Sequence, residues 1–107
     1  MSQDKGNRAA GWFADWLRDE GYFANAQELP NGRSGADLEN TPPVAFEVKT
    51  GVTWRESWLK QAAKYAGELH PLIYAGPGMG RAHVADWQLI LRVRAGMDLM
   101  RKAGYCE

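Results

Sequence analysis

The chain has very few of the side chains that build disulfides or zinc sites. Among its 107 residues it holds one cysteine, Cys106, and two histidines, His70 and His83. A single cysteine cannot form a disulfide within the chain, and this set is too small for a zinc site made of cysteine and histidine. These counts exclude a disulfide framework and a zinc module.

Long apolar segments are missing as well. No run approaches the ~20 residues that a membrane-spanning helix needs. The first twenty residues contain Asp4, Asp15, Asp19 and Glu20 and no apolar core segment, which argues against a secretory signal peptide. We therefore expect a soluble cytoplasmic protein with no membrane partner.

The chain has no excess of charge of either sign, because 13 basic side chains balance 13 acidic ones. This balance argues against a simple basic coat for nucleic acid. Apolar side chains, in contrast, are plentiful: 45% of the residues are hydrophobic, and five Trp, four Tyr and three Phe supply bulk for a core. This composition and length predict one globular domain over residues 1–107.

Hydrophobic spacing predicts three helices. The first spans 8–20, where apolar residues recur at the spacing of one buried stripe and Gly21 provides a stop signal. The second is expected over 55–69. The third is expected over 84–102, with a break near Gly96.

Three short segments before the second helix and one after it predict strands. The first lies within 22–29, and the next two form a hairpin whose first strand ends near Leu38 and whose second runs over 44–50. The fourth is a buried strand at 72–75. The expected fold is therefore α/β, in the order α-β-β-β-α-β-α, with a small mixed central sheet flanked by helices.

The residues that carry chemistry are Asp37, Glu47 and Lys49. Side chains at positions i and i+2 of a strand point to the same face, so Glu47 and Lys49 project together, and the predicted hairpin brings Asp37 to the same place. Neighbouring carboxylates repel each other unless a hard cation such as magnesium neutralises them. A lysine beside the cation orients water or holds a phosphate, as metal-assisted phosphodiester hydrolysis requires.

A purely structural interpretation of Glu47 and Lys49 stands beside this one. A Glu-x-Lys pair on the solvent face of a strand is common and often reflects solvation alone. The strand over 44–50, however, has apolar residues on both faces near its middle. Charged side chains in such a strand need a partner, because unpaired burial is costly.

Two segments resemble the core motif of the PD-(D/E)xK nuclease superfamily: Gly35-Ala36-Asp37-Leu38 and Phe46-Glu47-Val48-Lys49. Members of this superfamily place an acidic pair and a lysine on adjacent strands after a first helix. Within it, the chain is most similar to archaeal-type Holliday junction resolvases and their phage relatives. The resemblance implies a restriction-endonuclease-like fold, cleavage of branched DNA with Mg²⁺ or Mn²⁺ as cofactor, and a homodimer.

The resemblance also implies roles for single residues. Asp37, Glu47 and the backbone carbonyl of Val48 correspond to metal ligands, and the catalytic set is Asp37, Glu47, Lys49 and Gln61. The residues expected to contact DNA are basic: Lys5, Arg8, Arg33, Arg55, Lys60 and Lys64.

The chain departs from the superfamily on the first helix, where relatives carry a glutamate and this chain has Ala10. Ala10 is in line with Phe13 and Leu17, so a carboxylate there is expected to face the pocket of Asp37 and Glu47. Its absence leaves open a second interpretation, a nuclease-like module that binds DNA or a protein partner without cutting. A nuclease acting on linear or nicked DNA is a third.

Overall fold

The computed structural model describes residues 2–29, 36–51 and 53–107, with side chains from residue 8 onward in the first range. The elements, in chain order, are helix α1 (Ser2–Asp19), strands β1 (Gln27–Glu28), β2 (Leu38–Glu39) and β3 (Glu47–Thr50), helix α2 (Glu56–Ala62), strand β4 (Leu72–Ala75), a 3-10 helix (Arg81–Asp86), strand β5 (Gln88–Ile90) and helix α3 (Val93–Lys102). The chain is thus a small α/β protein. No helix among the described residues combines the length and hydrophobicity that crossing a bilayer requires.

The described strands form two sheets rather than the single central sheet that was expected. β1 and β2 make a short antiparallel pair, and β3, β4 and β5 make a mixed sheet in that order. β3 and β4 run parallel, with Lys49 opposite Tyr74, and α2 provides the crossover that a parallel pair needs. β4 is central and buried along its whole length, as the apolar segment at 72–75 predicts.

The two faces of the mixed sheet are covered by different helices. On one face, Phe13 of α1 packs edge-to-face on Phe46 with ring centroids 5.1 Å apart, and Val48 joins the same apolar cluster. On the other face, Leu59 of α2 packs against Leu72 and Tyr74. Because side chains alternate along β3, Glu47 and Lys49 point to the α2 face.

The end of α1 confirms the predicted stop at Gly21. Gly21 has a φ of +81° and donates its N–H to the Arg18 carbonyl, and the Tyr22 N–H bonds to the Leu17 carbonyl. This pair of bonds is a Schellman motif, which a glycine in the left-handed region completes at low cost. The helix begins at Ser2, six residues before the predicted start.

The predicted hairpin between the segment ending at Leu38 and the strand at 44–50 is wrong. Leu38 pairs with Glu28 in the antiparallel sheet, and the strand at 44–50 pairs with β4. Only the backbone N–H of Asp37, which donates to the Phe46 carbonyl at 2.9 Å, joins the two segments in the expected way. The buried β4 offers a longer apolar partner, and this tertiary pairing overrides the local hairpin.

The second predicted helix is too long, because α2 ends at Ala62 rather than at residue 69. The following segment turns and runs beside the start of the 44–50 strand, where the Ala45 N–H bonds to the Leu69 carbonyl at 2.9 Å. Gly67, with a φ of +142°, allows this approach, since a Cβ there would lie 2.9 Å from the Pro43 oxygen.

The third predicted helix is also wrong in its first half. The segment 84–102 contains the end of the 3-10 helix, then β5, then α3. Leu89 and Ile90 extend the sheet by pairing with Ile73 and Leu72. The expected break at Gly96 is absent, since α3 continues through it.

Ala10 faces inward as expected, but not towards Asp37 and Glu47. It is buried in the apolar cluster of α1 with Phe13 and Leu17, and Glu47 points to the opposite face of the sheet. A carboxylate at position 10 would therefore meet apolar side chains rather than a metal site.

We predict that Ala10→Glu destabilises the protein and adds no metal affinity. An unpaired charge in this cluster costs about 3 kcal/mol or more. In a domain of this size the melting temperature then falls by roughly 10 °C or more. Ala82→Glu, at an exposed position of the 3-10 helix, is the control and should melt close to wild type. A stable Ala10→Glu variant with tighter magnesium binding by calorimetry would contradict this packing.

Candidate metal centre

Asp37 is held against the free edge of β3 by two hydrogen bonds. Its backbone N–H donates to the Phe46 carbonyl, and its Oδ2 accepts from the Val48 N–H at 2.7 Å. The Asp37 side chain thus satisfies a β3 amide that none of the described strands pairs. This contact brings the carboxylate to the strand that carries Glu47.

The same bond defines the direction of the Val48 carbonyl. In a β-strand the N–H and C=O of one residue point to the same edge, and successive residues alternate. Because the Val48 N–H points at Asp37, its carbonyl oxygen also faces that edge. The Glu47 N–H points the other way and bonds to the Pro71 carbonyl. The backbone therefore presents the Val48 oxygen on the side of the Asp37 carboxylate, as the resemblance implies.

Glu47 is the most deeply buried charged residue of the site. It is 2% exposed, and its Oε2 forms an ion pair with Lys49 Nζ at a distance of 3.1 Å. Its other oxygen, Oε1, is buried with no hydrogen-bond partner among the described residues. A buried carboxylate oxygen without a donor is costly, and a cation is the natural partner for it.

The electrostatics of the two carboxylates also favour a bound cation. Burial is the main factor that raises the pKa of Glu47, and the charge of Asp37 raises it further, whereas Lys49 and the nearby Tyr65 hydroxyl lower it. Burial also raises the pKa of Asp37, although the Val48 N–H and Lys49 partly offset it. Each carboxylate therefore carries a charge that the protein alone does not fully compensate.

Lys49 is fixed on two sides. Its ammonium group pairs with Glu47 and lies 5.9 Å from the centroid of the Trp58 ring, within cation–π range. Trp58 in turn contacts Tyr74 at 5.8 Å between ring centroids. The lysine side chain is therefore oriented by α2 as well as by its own strand.

Gln61 and Tyr65 form the outer part of the site. Gln61 is exposed and donates from Nε2 to the Tyr65 hydroxyl at 3.3 Å. Burial raises the pKa of Tyr65, the bond from Gln61 lowers it, and the charges of Glu47 and Asp37 raise it again. The hydroxyl therefore lies close to the carboxylates, but it does not satisfy Glu47 Oε1 by hydrogen-bond geometry.

The pattern of the second predicted helix favours a packing role for Trp58 and Tyr65, since aromatic side chains at helical spacing usually belong to a core. Trp58 does pack against the apolar cluster of α2, but it also contacts Lys49, and Tyr65 is only partly buried beside the carboxylates. The spacing of Gln61 and Tyr65, one helical turn apart, was the available signal for Tyr65. Nothing in the sequence pattern indicates that Trp58 contacts Lys49.

The ligands that the protein offers suit magnesium better than a metal that needs a complete set of protein ligands. No third Asp, Glu, His or Cys joins Asp37 and Glu47 in a ligand cluster among the side chains that the structure describes. Magnesium is commonly bound by one or two carboxylates and keeps several waters or substrate phosphates. Two carboxylates, one of them with the orphaned buried oxygen Oε1 of Glu47, and one backbone oxygen match that demand.

The basic residues expected to contact DNA are divided between locations. Arg55, Lys60 and Lys64 are exposed on or beside α2, the helix that covers the Glu47 face. Arg8 is exposed on α1, which covers the opposite face. Arg33 and the Lys5 side chain lie outside the described residues.

Comparisons of the chain with protein-family models, with curated proteins and with solved structures each find no match. The features of the chain that indicate a function are therefore the geometry of Asp37, Glu47, Val48 and Lys49 and the resemblance of their motif.

We predict that Glu47→Gln raises the melting temperature at neutral pH in EDTA. A carboxyl group whose folded pKa is raised favours the folded state at low pH and loses that contribution as pH rises through the folded pKa. Glu47→Gln has no carboxyl group to ionise, so it does not lose stability as the pH rises. Its melting temperature should therefore exceed that of wild type by several degrees at pH 7, and the difference should vanish below about pH 4.5, the ordinary pKa of the group.

Thermal unfolding of both proteins in EDTA across this pH range makes the comparison. Glu107→Gln removes an exposed carboxylate and serves as the control. An advantage for Glu47→Gln that grows as the pH falls would show that Glu47 is stabilising when charged, against this electrostatic account.

Proposed function

We propose that this protein is a metal-dependent DNA endonuclease of the PD-(D/E)xK type, with branched DNA such as a Holliday junction as its substrate. The observation that carries the proposal is the buried Oε1 of Glu47, which has no hydrogen-bond partner among the described residues and lies beside Asp37 and the Val48 carbonyl. The ion pair between Lys49 and Glu47 adds the third element of the motif.

Each residue has a chemical role in this proposal. Asp37, Glu47 and the Val48 carbonyl hold the magnesium or manganese ion, and the ion supplies the positive charge that polarises the scissile phosphate. Lys49 donates hydrogen bonds to the attacking water or to a phosphate oxygen. Trp58 restricts the lysine side chain, which lowers the entropy cost of presenting its ammonium group. Gln61 lies at the exposed rim with its amide held by Tyr65.

A labelled four-way junction and a linear duplex of matched sequence test the activity. We expect cleavage of the junction with magnesium or manganese and none in EDTA, and we expect Asp37→Asn and Glu47→Gln each to abolish it. Asp37→Asn keeps an oxygen that can accept the Val48 N–H, so loss of activity there reports charge rather than fold. Wild-type cutting by both variants would refute the site, and cutting of the duplex alone would refute the junction as substrate.

We predict that Lys49→Ala keeps metal affinity but reduces the cleavage rate by roughly 10²–10⁴-fold, the usual contribution of a positioned acid–base group. The lysine acts on water and phosphate rather than on the ion. Metal binding by calorimetry and single-turnover cleavage at saturating metal separate the two effects. Lys102→Ala, at an exposed lysine of α3, is the matched control and should cut within a few-fold of wild type. Loss of metal affinity with an unchanged saturated rate would contradict this role.

A binding module without cleavage is the second candidate, because Asp37 and Glu47 are joined by no third Asp, Glu, His or Cys among the described residues. The acidic residue that relatives carry on the first helix is absent, and Ala10 faces the apolar cluster rather than these carboxylates. Tight junction binding with no cleavage under any divalent cation would support this candidate.

The homodimer that junction cutting requires has a suitable surface on α3. No residue of this helix is buried, and one half of it carries exposed apolar side chains with exposures of 40% to 81%. These are Val93, Met97, Leu99 and Met100. An exposed apolar helix face of this kind marks an interaction site.

A second copy of the chain is the partner that we propose for this face. Two equivalent cuts in a junction need two equivalent sites, which a two-fold dimer provides. The chain has zero formal net charge, so two copies do not repel each other strongly. Near the centre of the face, a Cβ at Gly96 would meet nothing within 4 Å, which leaves room for the approach of a second helix.

We predict that wild type is a dimer of twice 11.9 kDa and that Met97→Glu shifts it to the monomer. A charge buried at the centre of an apolar interface is not compensated there. Sedimentation velocity at tens of micromolar measures the mass, and Lys102→Glu on the polar half of α3 is the control. A wild-type monomer, or a dimer that Met97→Glu leaves intact, would refute α3 as the interface.

A further inference from the structure

A cavity of about 390 Å³ lies on the α1 face of the sheet, apart from the carboxylate pair. It opens where β3 and β4 end, between Thr50 and Gly51 on one strand and the glycine-rich loop 76–80 on the other. Arg8 and Trp12 of α1 line it, as does Trp87. None of these residues takes part in the proposed chemistry of Asp37, Glu47 and Lys49.

The position of this cavity is one that favours ligand binding. β3 and β4 are parallel, so their carboxyl ends meet at the same edge of the sheet, and such edges are the usual binding crevices of α/β proteins. The loop that follows β4 is Gly76-Pro77-Gly78-Met79-Gly80. A Cβ at Gly78 or Gly80 would meet nothing within 4 Å, so the loop exposes backbone that a ligand can approach closely.

The lining of the cavity suits a flat ring joined to an anion. Trp12 and Trp87 are both only partly buried, and the Trp87 indole is held by a bond from its Nε1–H to the Met79 carbonyl at 2.9 Å. Arg8 is the one charged residue among the described side chains of the lining and is exposed. Indole faces stack on nucleobases, and a guanidinium group pairs with phosphate, so a nucleotide satisfies both features.

The cavity lies at the end of the strand that carries the proposed catalytic lysine, on the opposite face of the sheet. Thr50 directly follows Lys49 in β3 and points to the cavity side by alternation. Two residues of extended chain, from Lys49 to Gly51, span about 7 Å. A DNA strand with a phosphate at Lys49 reaches the cavity mouth by continuing around the end of β3.

We infer that this cavity binds one unpaired nucleotide of the DNA strand that passes around the end of β3, with the base against Trp12 and Trp87 and a phosphate at Arg8. This inference rests on the proposed nuclease function and narrows its substrate to DNA with an unstacked base at the branch. A base at a branch point is cheaper to unstack than one inside a duplex, so the cavity selects branched DNA by shape.

The test compares four-way junctions that differ in one base. Wild-type protein in EDTA, where no cutting occurs, is titrated with an intact junction and with one that carries an abasic site at the branch. Stacking of a base on an aromatic side chain contributes ~1–3 kcal/mol. We therefore expect the abasic junction to bind roughly 5- to 160-fold more weakly, and 2-aminopurine at the same position to change its fluorescence on binding.

A second arm locates the effect in the cavity. Trp12→Leu should weaken binding of the intact junction and have little further effect on the abasic one, because both changes remove the same contact. Trp54→Leu, at an exposed tryptophan outside the cavity lining, is the matched control and should keep the full difference between the two junctions. The melting temperature of each variant checks folding, and the wild-type comparison stands even if Trp12→Leu does not fold.

The outcomes separate this inference from the proposed function. Equal affinity of wild type for the two junctions, or no binding of either, overturns the cavity as a nucleotide site. Cleavage with magnesium but no dependence on the base means that the nuclease proposal stands and the cavity proposal fails. A base-dependent affinity without cleavage under any divalent cation means the reverse.

Discussion

The hydrogen bond from the Val48 N–H to Asp37 Oδ2 is the contact on which the rest of the site depends. β3 is an edge strand on the side away from β4, and a buried amide on that side must find a partner. The Asp37 carboxylate is that partner, at 2.7 Å. A requirement of backbone hydrogen bonding thus places one acidic side chain beside the strand that carries Glu47 and Lys49. The Val48 carbonyl is directed to the same place by the same strand geometry.

The buried charge of Glu47 lowers the stability of the folded protein. Glu47 is buried, one of its oxygens has no partner in the part of the chain that the structure describes, and burial together with the neighbouring Asp37 raises its pKa. A core residue of similar volume would avoid this cost. Sites of this kind, where protein groups leave a charge uncompensated, are typical of functional centres that a ligand completes. The cost is limited by Lys49, which Trp58 holds in place.

The proposed metal site and the proposed nucleotide cavity lie on different faces of the sheet. The α2 face carries the charged groups together with Trp58 and Tyr65, whereas the α1 face carries the apolar core and the cavity at the end of β3. Because β3 contributes alternate side chains to both faces, Lys49 and Thr50 are neighbours in sequence and lie on different sides. The strand end is therefore the point where a bound DNA strand would meet both features.

Local pattern alone determined several parts of the structure. The apolar stripe of the first helix, its stop at Gly21, the buried strand at 72–75 and the shared face of Glu47 and Lys49 follow from periodicity and from glycine geometry. Only the tertiary structure decided which strands pair. A strand of a few residues has no strong preference for its partner, so β3 joined the buried β4 rather than forming a hairpin, and the segment before α3 became β5 instead of helix. The surroundings of Ala10, Trp58 and Tyr65 were decided in the same way, because a helical stripe specifies which residues face inward but not what they meet there.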